Sequence, residues 1–464
     1  MSKIIEQAKY TCALGAQQSV LAIPRAIPII HAGPGCSSRQ FAFVSNGAGY
    51  QGEGYAGGGQ IPSTNSSQSE VVFGGEKKLA DTIEGAKKVI DGDLYVVLSG
   101  CTAGIVGDDV KQVAAEAYED DKPVVGVDTA GFRGNNYKGH EIVLEGILNQ
   151  FIYIDFPKAN VRKGLVNVFS VVPYQNPFWR GDLEEIKRLL ESIGLEVNIL
   201  FGYESAGVSE WKDIPNAQFN LLISPWVGLN AVKSLEKKYG TPYLHIPTLP
   251  IGLKNTSSFL RTVGEFAKVD KEKVEEVVAY EEKKYKQYFV AFGDLLADFA
   301  SYLPYHLYVA NDSLYGLAFA DFLSNELGIT PKLFAITDEP DNKSKDFVID
   351  TLVTKNAEWD GKVITEGDNR VIQDLIYQII KKEDTKSLII GSSWDNELAF
   401  ETDSILIKAG MPISDRVIIN KSYVGYKGGL TLIEEIYSGL FEKGMITNTT
   451  HADKDLKEKT CPNA

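Results

Sequence analysis

A chain of 464 residues with 44% hydrophobic side chains is long enough for about three domains of roughly 150 residues, each with its own core. Its 47 basic against 62 acidic residues, a net charge of −15, argue against a polyanionic nucleic-acid partner and leave proteins and small molecules open. The opening stretch MSKIIEQAKYTCALGAQ mixes charges into its apolar residues, and nowhere do about 18 apolar residues run uninterrupted, so neither a signal peptide nor a membrane span is expected and the protein reads as cytoplasmic.

Between about residues 26 and 165 the chain alternates short apolar runs with amphipathic stretches. AIPIIHA (26–32) leads into GPGC, LYVVLSG (94–100) into CTAGIVGDD, and KPVVGVDT (122–129) into AGFRGN. Each is a buried-strand pattern followed by a glycine turn and a helical pattern, with LADTIEGAKKVI (79–90) and VKQVAAEAYE (110–119) as helices between them. A second series follows the basic spot at 158–163. LVNVFSVVP (165–173), EVNILFG (196–202), FNLLISP (219–225) and TPYLHIP (241–247) read as strands, and 183–194 and 229–240 have helical periodicity. The charged stretch 269–303 is one long helix or two. LYVAND (307–312), KLFAIT (332–337), KVITEG (362–367) and SLIIGSS (387–393) make a third series. The expected fold is therefore α/β, three doubly wound, Rossmann-like domains with parallel sheets, placed at 1–163, 164–285 and 286–464. The last of them ends in a C-terminal helix and a charged tail, 451–464, expected to be mobile.

In open parallel sheets, ligands bind beyond the carboxyl ends of strands. Cys36 and Cys101 occupy that place after AIPIIHAGPG and LYVVLSG, and Cys12 lies in a looser N-terminal segment able to fold over the same crevice. A chain without secretory features has little use for disulfides, so thiols at loop ends point to metal. Three thiols do not close a four-ligand zinc or iron–sulfur site. Either a second chain supplies the rest or Cys461 does, although that tail residue has no strand behind it and reads better as a free thiol. The plainer alternative for all three is that they are small apolar side chains.

Other features carry less. The glycine-rich stretch 47–59 lacks a following Lys-Ser pair, so it reads as a flexible loop near the cluster or a partner rather than a nucleotide cradle. Asp108 and Asp109, after Gly107, fit helix capping. His31 is either a structural histidine or one that hydrogen-bonds near the metal. His140, His245, His306 and His451 are scattered without metal-ligand spacing, and Trp226 and Trp394 suit core or interface anchors.

Several pieces in order resemble the nitrogenase component 1 family. Cys12 is followed by His31-Ala-Gly-Pro-Gly-Cys36, similar to that family's His-Gly-x-x-Gly-Cys turn, then by Val72-Phe-Gly-Gly75 and by Cys101-Thr-Ala-Gly-Ile-Val-Gly-Asp-Asp109. Gly131-Phe-Arg-Gly134, Gly391-Ser-Ser393 and Val424-Gly-Tyr-Lys-Gly428 also match, and the resemblance runs from about residue 8 to 443. It implies that Cys12, Cys36 and Cys101 ligate one face of an iron–sulfur cluster, P-cluster-like or 4Fe–4S, whose other face belongs to a homologous α-type chain. It further implies an α₂β₂ assembly served by an ATP-hydrolysing iron–sulfur reductase.

Departures point to the subunit type. Where cofactor-bearing subunits have Asn-Leu-x-x-Cys, this chain has Asn220-Leu-Leu-Ile-Ser224, and 414–424, SDRVIINKSYV, lacks the expected histidine. A serine hydroxyl is a poor iron ligand beside a thiolate. The chain thus resembles a β-type subunit, while Gly131, where β chains of molybdenum nitrogenase carry serine, resembles the α-type. The resemblance leaves three readings: an electron-relay subunit of a nitrogenase-like oxidoreductase, a scaffold for building the nitrogenase cofactor, or a subunit of a related reductase of tetrapyrrole or methylthio compounds.

Overall fold

The computed structural model describes residues 11–38, 47–52, 55, 61–356, 359–383 and 385–443. Cys461, His451 and the tail, and part of the glycine-rich stretch, lie outside the described residues.

The N-terminal third supplies β1 (Ala26–His31), β2 (Ala48–Tyr50), β3 (Leu94–Ser99) and β4 (Val124–Val127). Strands β1, β3 and β4 lie side by side in that order, all parallel, with His31 opposite Ser99. AIPIIH and LYVVLS are buried at every residue, which is why they read as continuous apolar runs: both faces are covered. On the free side of β1, Ile30 exchanges backbone hydrogen bonds with Pro62 and Thr64, so the chain returning from the Cys36 loop runs beside it.

The second sheet contains β5 (Arg162–Phe169), β6 (Glu196–Asn198), β7 (Ala217–Ile223) and β8 (Tyr243–Ile246), in the order β6-β5-β7-β8. A buried amide ladder fixes its register. Asn198 donates to Asn167 (2.9 Å) and Asn167 to Asn220 (2.8 Å), each pair directly opposite in the sheet. A one-residue slip would bury these amides without partners.

The third sheet contains β9 (His306–Asn311), β10 (Thr330–Ile336), β11 (Lys362–Thr365), β12 (Ser387–Gly391) and β13 (Ile405–Lys408), in the order β11-β10-β9-β12-β13. The order reverses between β5 and β7 in the second sheet and between β9 and β12 in the third, which makes both doubly wound. β14 (Ile413–Val417) leaves the third sheet to pair with β2, tying the C-terminal part of the chain to the N-terminal part.

Two of the expected divisions cut an element. β5 starts at Arg162, across the division at 163, and the 29-residue helix Lys271–Phe299 runs unbroken through 285. Its sequence offers no proline and a single glycine, Gly293, so nothing interrupts the backbone ladder. No helix among the described residues is long and apolar enough to cross a membrane.

Candidate metal centre

Because β1 and β3 are parallel neighbours, the turns that follow them open at one edge of the sheet. Cys36 sits in a single helical turn, 34–38, just past the end of β1, and Cys101 starts the helix Cys101–Val106 directly after Gly100. Cys12 reaches the same edge by another route. It forms an antiparallel bridge with Asn135, while Ala13 donates to the Gly134 carbonyl (3.0 Å) and Asn136 to that of Thr11 (3.1 Å). Residues 11–13 are thus tied to 134–136, just after the turn that follows β4.

The turn Gly131–Arg133 is where two of the thiols meet. The Gly131 amide donates to Cys101 Sγ at 3.2 Å. A Cβ built on Gly131 would lie 2.9 Å from Cys101 Sγ, 3.2 Å from Cys12 Cβ and 3.8 Å from Cys12 Sγ. A side chain there would fill space that the two cysteines surround. Cys101 is exposed and Cys12 and Cys36 are half-buried. Among the described residues no three histidine, cysteine or acidic side chains converge closely enough to hold a metal ion within this chain alone. The donor set nevertheless fits an iron–sulfur group in kind: soft sulfur ligands, a backbone N–H aimed at one of them, and an open side.

The two adjacent aspartates do different things. Asp109 caps the next helix, accepting from the Lys111 and Gln112 amides at 3.1 and 3.0 Å. Asp108, expected to cap with it, instead turns inward to His31 (2.9 Å) and to the Gly75 amide. The -Gly-Asp-Asp- pattern gives no sign of this, because the partner lies 77 residues away. His140 is structural: its Nδ1 lies 2.7 Å from Ser19 Oγ, and burial holds it neutral, with its pKa lowered to about 3. His245 reaches the Ser224 carbonyl (2.7 Å) and stacks on Phe347.

The described part of the glycine-rich stretch is held rather than loose. Besides the β2–β14 pairing, buried Arg180 donates to the Gly52 carbonyl (3.2 Å) and that of Gln51, beside the rings of Tyr174, Trp179 and Tyr203.

A second polar centre lies where the three sheets' edges face one another. Ser224, just past β7, is buried. Trp226 follows it and donates from Nε1 to Asp338 Oδ2 at 2.7 Å and to Ser313 Oγ at 3.2 Å. Asp312 follows β9 and caps the helix Ser313–Leu327, while Asn135 donates to the Asp338 carbonyl at 2.9 Å. Burial raises the pKa of both Asp312 and Asp338, and for Asp312 the charge of Asp338 adds to it. Asp182, bonded to Tyr315, Ser422 Oγ and the Tyr423 amide, is pushed up to about 6 by burial. Sequence reading missed these acids. The one available sign was Asp312 standing between a strand and a helical pattern.

Exposed apolar side chains stand on the elements around Cys101. Phe73 is 88% exposed, Ile105 76% and Phe132 59%. The helix Gln68–Phe73 packs on the Cys101 helix, and Phe132 lies over Gly104 of that helix.

The chain is an α/β protein with parallel sheets and thiols beyond the strand ends of the first of them, and residues 11–441 match the family Nitrogenase component 1 type Oxidoreductase. The chain belongs to that family as a β-type member, an oxidoreductase subunit of nitrogenase type. It is 27% identical to a nitrogenase molybdenum-iron protein beta chain of Methanococcus maripaludis, covering 93% of each. One subunit of a light-independent protochlorophyllide reductase of Angiopteris evecta is 25% identical over 80% of this chain and 72% of its own. In fold it is similar to a solved chain titled "Nitrogenase Cp1 at pH 6.5", with a TM-score of 0.78, 22% identity, and 98% of this chain and 96% of that chain covered.

Proposed function

We propose that Cys12, Cys36 and Cys101 supply one face of an iron–sulfur cluster, P-cluster-like or 4Fe–4S, that a homologous α-type chain completes from the other side in an α₂β₂ assembly. The observation that carries this reading is the convergence of Cys12 and Cys101 on Gly131, with Cys101 exposed. When bound, the cluster supplies one-electron transfer, between an ATP-hydrolysing iron–sulfur reductase and an active-site cofactor in the partner. This chain's own residues hold the thiolates in place, offer the Gly131 amide to Cys101, and leave the sulfur side open to the partner. A reducing cytoplasm suits thiolates of this kind.

The chain's other crevice supports placing the active-site cofactor elsewhere. Ser224 offers a hydroxyl where a soft ligand is needed, and Trp226, bonded to Asp338, fills the space beyond it. The likeness to a protochlorophyllide reductase favours a second reading, in which the relay is the same and the substrate on the partner differs.

Purification tests the shared site. Expressed alone, the chain should retain little iron, because three thiolates leave iron positions open to water; co-expressed with its partner it should yield a brown complex containing iron and acid-labile sulfide. Full, stable iron in the monomer would overturn the reading. Replacing Cys36 or Cys101 with Ala should strip the complex of iron, whereas Cys461→Ala should not.

A further inference from the structure

His31 ends β1, is fully buried, and touches both ends of the helix that carries Cys101. Its carbonyl accepts the Gly100 amide (2.9 Å), and Gly100 is that helix's N-cap. Its ring Nε2 lies 2.9 Å from Asp108 Oδ2, two residues past the helix's last residue and one past the left-handed C-cap Gly107. Asp108 is already fixed by the Gly75 amide, at 3.0 and 3.1 Å to its two oxygens. The carboxylate accepts, so Nε2 donates to it, while Nδ1 lies 3.2 Å from Thr64 Oγ1.

Thr64 leads to the other thiol. The segment 62–66 pairs with β1 and the residue after it, through Ile30 and Ala32, and Ser37, next to Cys36, donates to Ser63 Oγ at 3.0 Å. The fit is close. A Cβ on Gly75 would lie 2.7 Å from His31 Cε1, and one on Gly100 2.5 Å from the Ala32 Cβ. A helix of six residues has too few internal hydrogen bonds to fix its own position, so what grips its ends decides where Cys101 points.

We infer that His31, acting through Asp108, is a positioning residue that sets the Cys101 thiolate relative to Cys36, so that three separate sequence motifs, at 31–36, 72–75 and 101–109, work as one clamp. The inference rests on the proposed thiolate site and touches no iron itself.

The test compares His31→Ala and His31→Gln in the co-expressed complex, with Cys101→Ala beside them. Glutamine can still donate to Asp108; alanine cannot. His31→Ala should retain iron about tenfold more weakly, as when groups that orient a metal ligand are removed, and should shift the midpoint potential of what cluster remains. His31→Gln should recover most of both. In the iron-free chain, alkylation of Cys101 should change rate in His31→Ala while that of Cys12 does not, a difference that general unfolding cannot produce. Full iron and an unshifted potential in His31→Ala, or no recovery in His31→Gln, would overturn the clamp. Iron retained in Cys101→Ala would instead overturn the thiolate site on which it rests.

Discussion

The Gly131 amide lies 3.2 Å from the Cys101 sulfur, and the point a side chain on Gly131 would occupy is 2.9 Å from that same sulfur. One residue therefore both donates to the sulfur and makes room for it. Hydrogen bonds to cluster sulfurs raise the potential by stabilising the more negative, reduced state.

Gly131→Ala should accordingly displace Cys101 without unfolding the chain. The residue sits in a half-exposed turn with ordinary backbone angles, so the cost in stability should stay near the low end of overpacking, about 1 kcal/mol. The methyl group would press on Cys101 Sγ and on Cys12 Cβ, 3.2 Å away. Iron per complex should fall while the thermal midpoint drops by no more than a few degrees. Unchanged iron and an unchanged midpoint potential would show that the thiol can move aside and that the glycine is incidental.

Trp226 gives a contrasting case, in which stability moves and iron does not. It is 8% exposed and packs near Tyr137, with ring centroids 6.3 Å apart. Trp226→Ala should cost about 3–5 kcal/mol through the cavity left behind. Trp226→Phe keeps the packing and removes the donor to buried Asp338, which should cost about 1–3 kcal/mol. Urea unfolding of the full chain measures both. Iron loss in the co-expressed Trp226→Phe complex would mean that the junction also shapes the thiol site.

The sheets were legible because strands buried on both faces leave uninterrupted apolar runs, as in AIPIIH and LYVVLS. β13 and β14 were not. ILIK is short and alternately half-buried, and ISDRV is exposed after its first residue, so neither looks apolar as a run. The positions of Cys36 and Cys101 followed from the strand-then-glycine pattern. What joins them did not: the His31 contact to Asp108 spans 77 residues and the Asn135 contact to Asp338 spans 203, distances bridged only once the strand order is known. Asp108 looked like a cap for the same reason, since local pattern describes the neighbouring helix and not the residue folded back against it.

The acid junction predicts how stability depends on pH. Asp182 is pushed from the ordinary 3.8 to about 6, and Asp312 and Asp338 are raised as well, by burial first. Tyr137 and Tyr315 face these acids from their own helices, and among the described residues no lysine or arginine forms an ion pair with any of the three. The folded state therefore holds protons that the unfolded chain releases near pH 4. The junction's contribution to stability should be greatest at and below that pH, and should fall as pH rises through about 6 and on toward neutrality. Asp312→Asn keeps an oxygen to cap the helix and cannot ionise, so it should flatten the decline. Urea midpoints from pH 5 to 8 give the slopes; equal slopes in the two proteins would show that Asp312 is ionised throughout.

The exposed apolar residues beside the thiols give the last prediction. Phe73, at 88% exposed, and Ile105, at 76%, contribute little to the fold, yet they stand on two helices that pack together, one of which carries Cys101, and water-exposed apolar surface of this kind suits a protein partner. Under the proposed relay a reductase would have to bring its own metal close to the thiols, so the patch is expected to serve its docking rather than the α-type chain. Phe73→Ser should leave iron content, melting and reduction by a small chemical donor unchanged. It should weaken association with the reductase by about 2 kcal/mol, roughly thirtyfold, as loss of one interface anchor does. Titrating substrate reduction against reductase concentration reads this as a rise in the concentration needed for half-maximal rate. A normal titration with dissociation of the α-type chain would instead assign Phe73 to the permanent subunit interface.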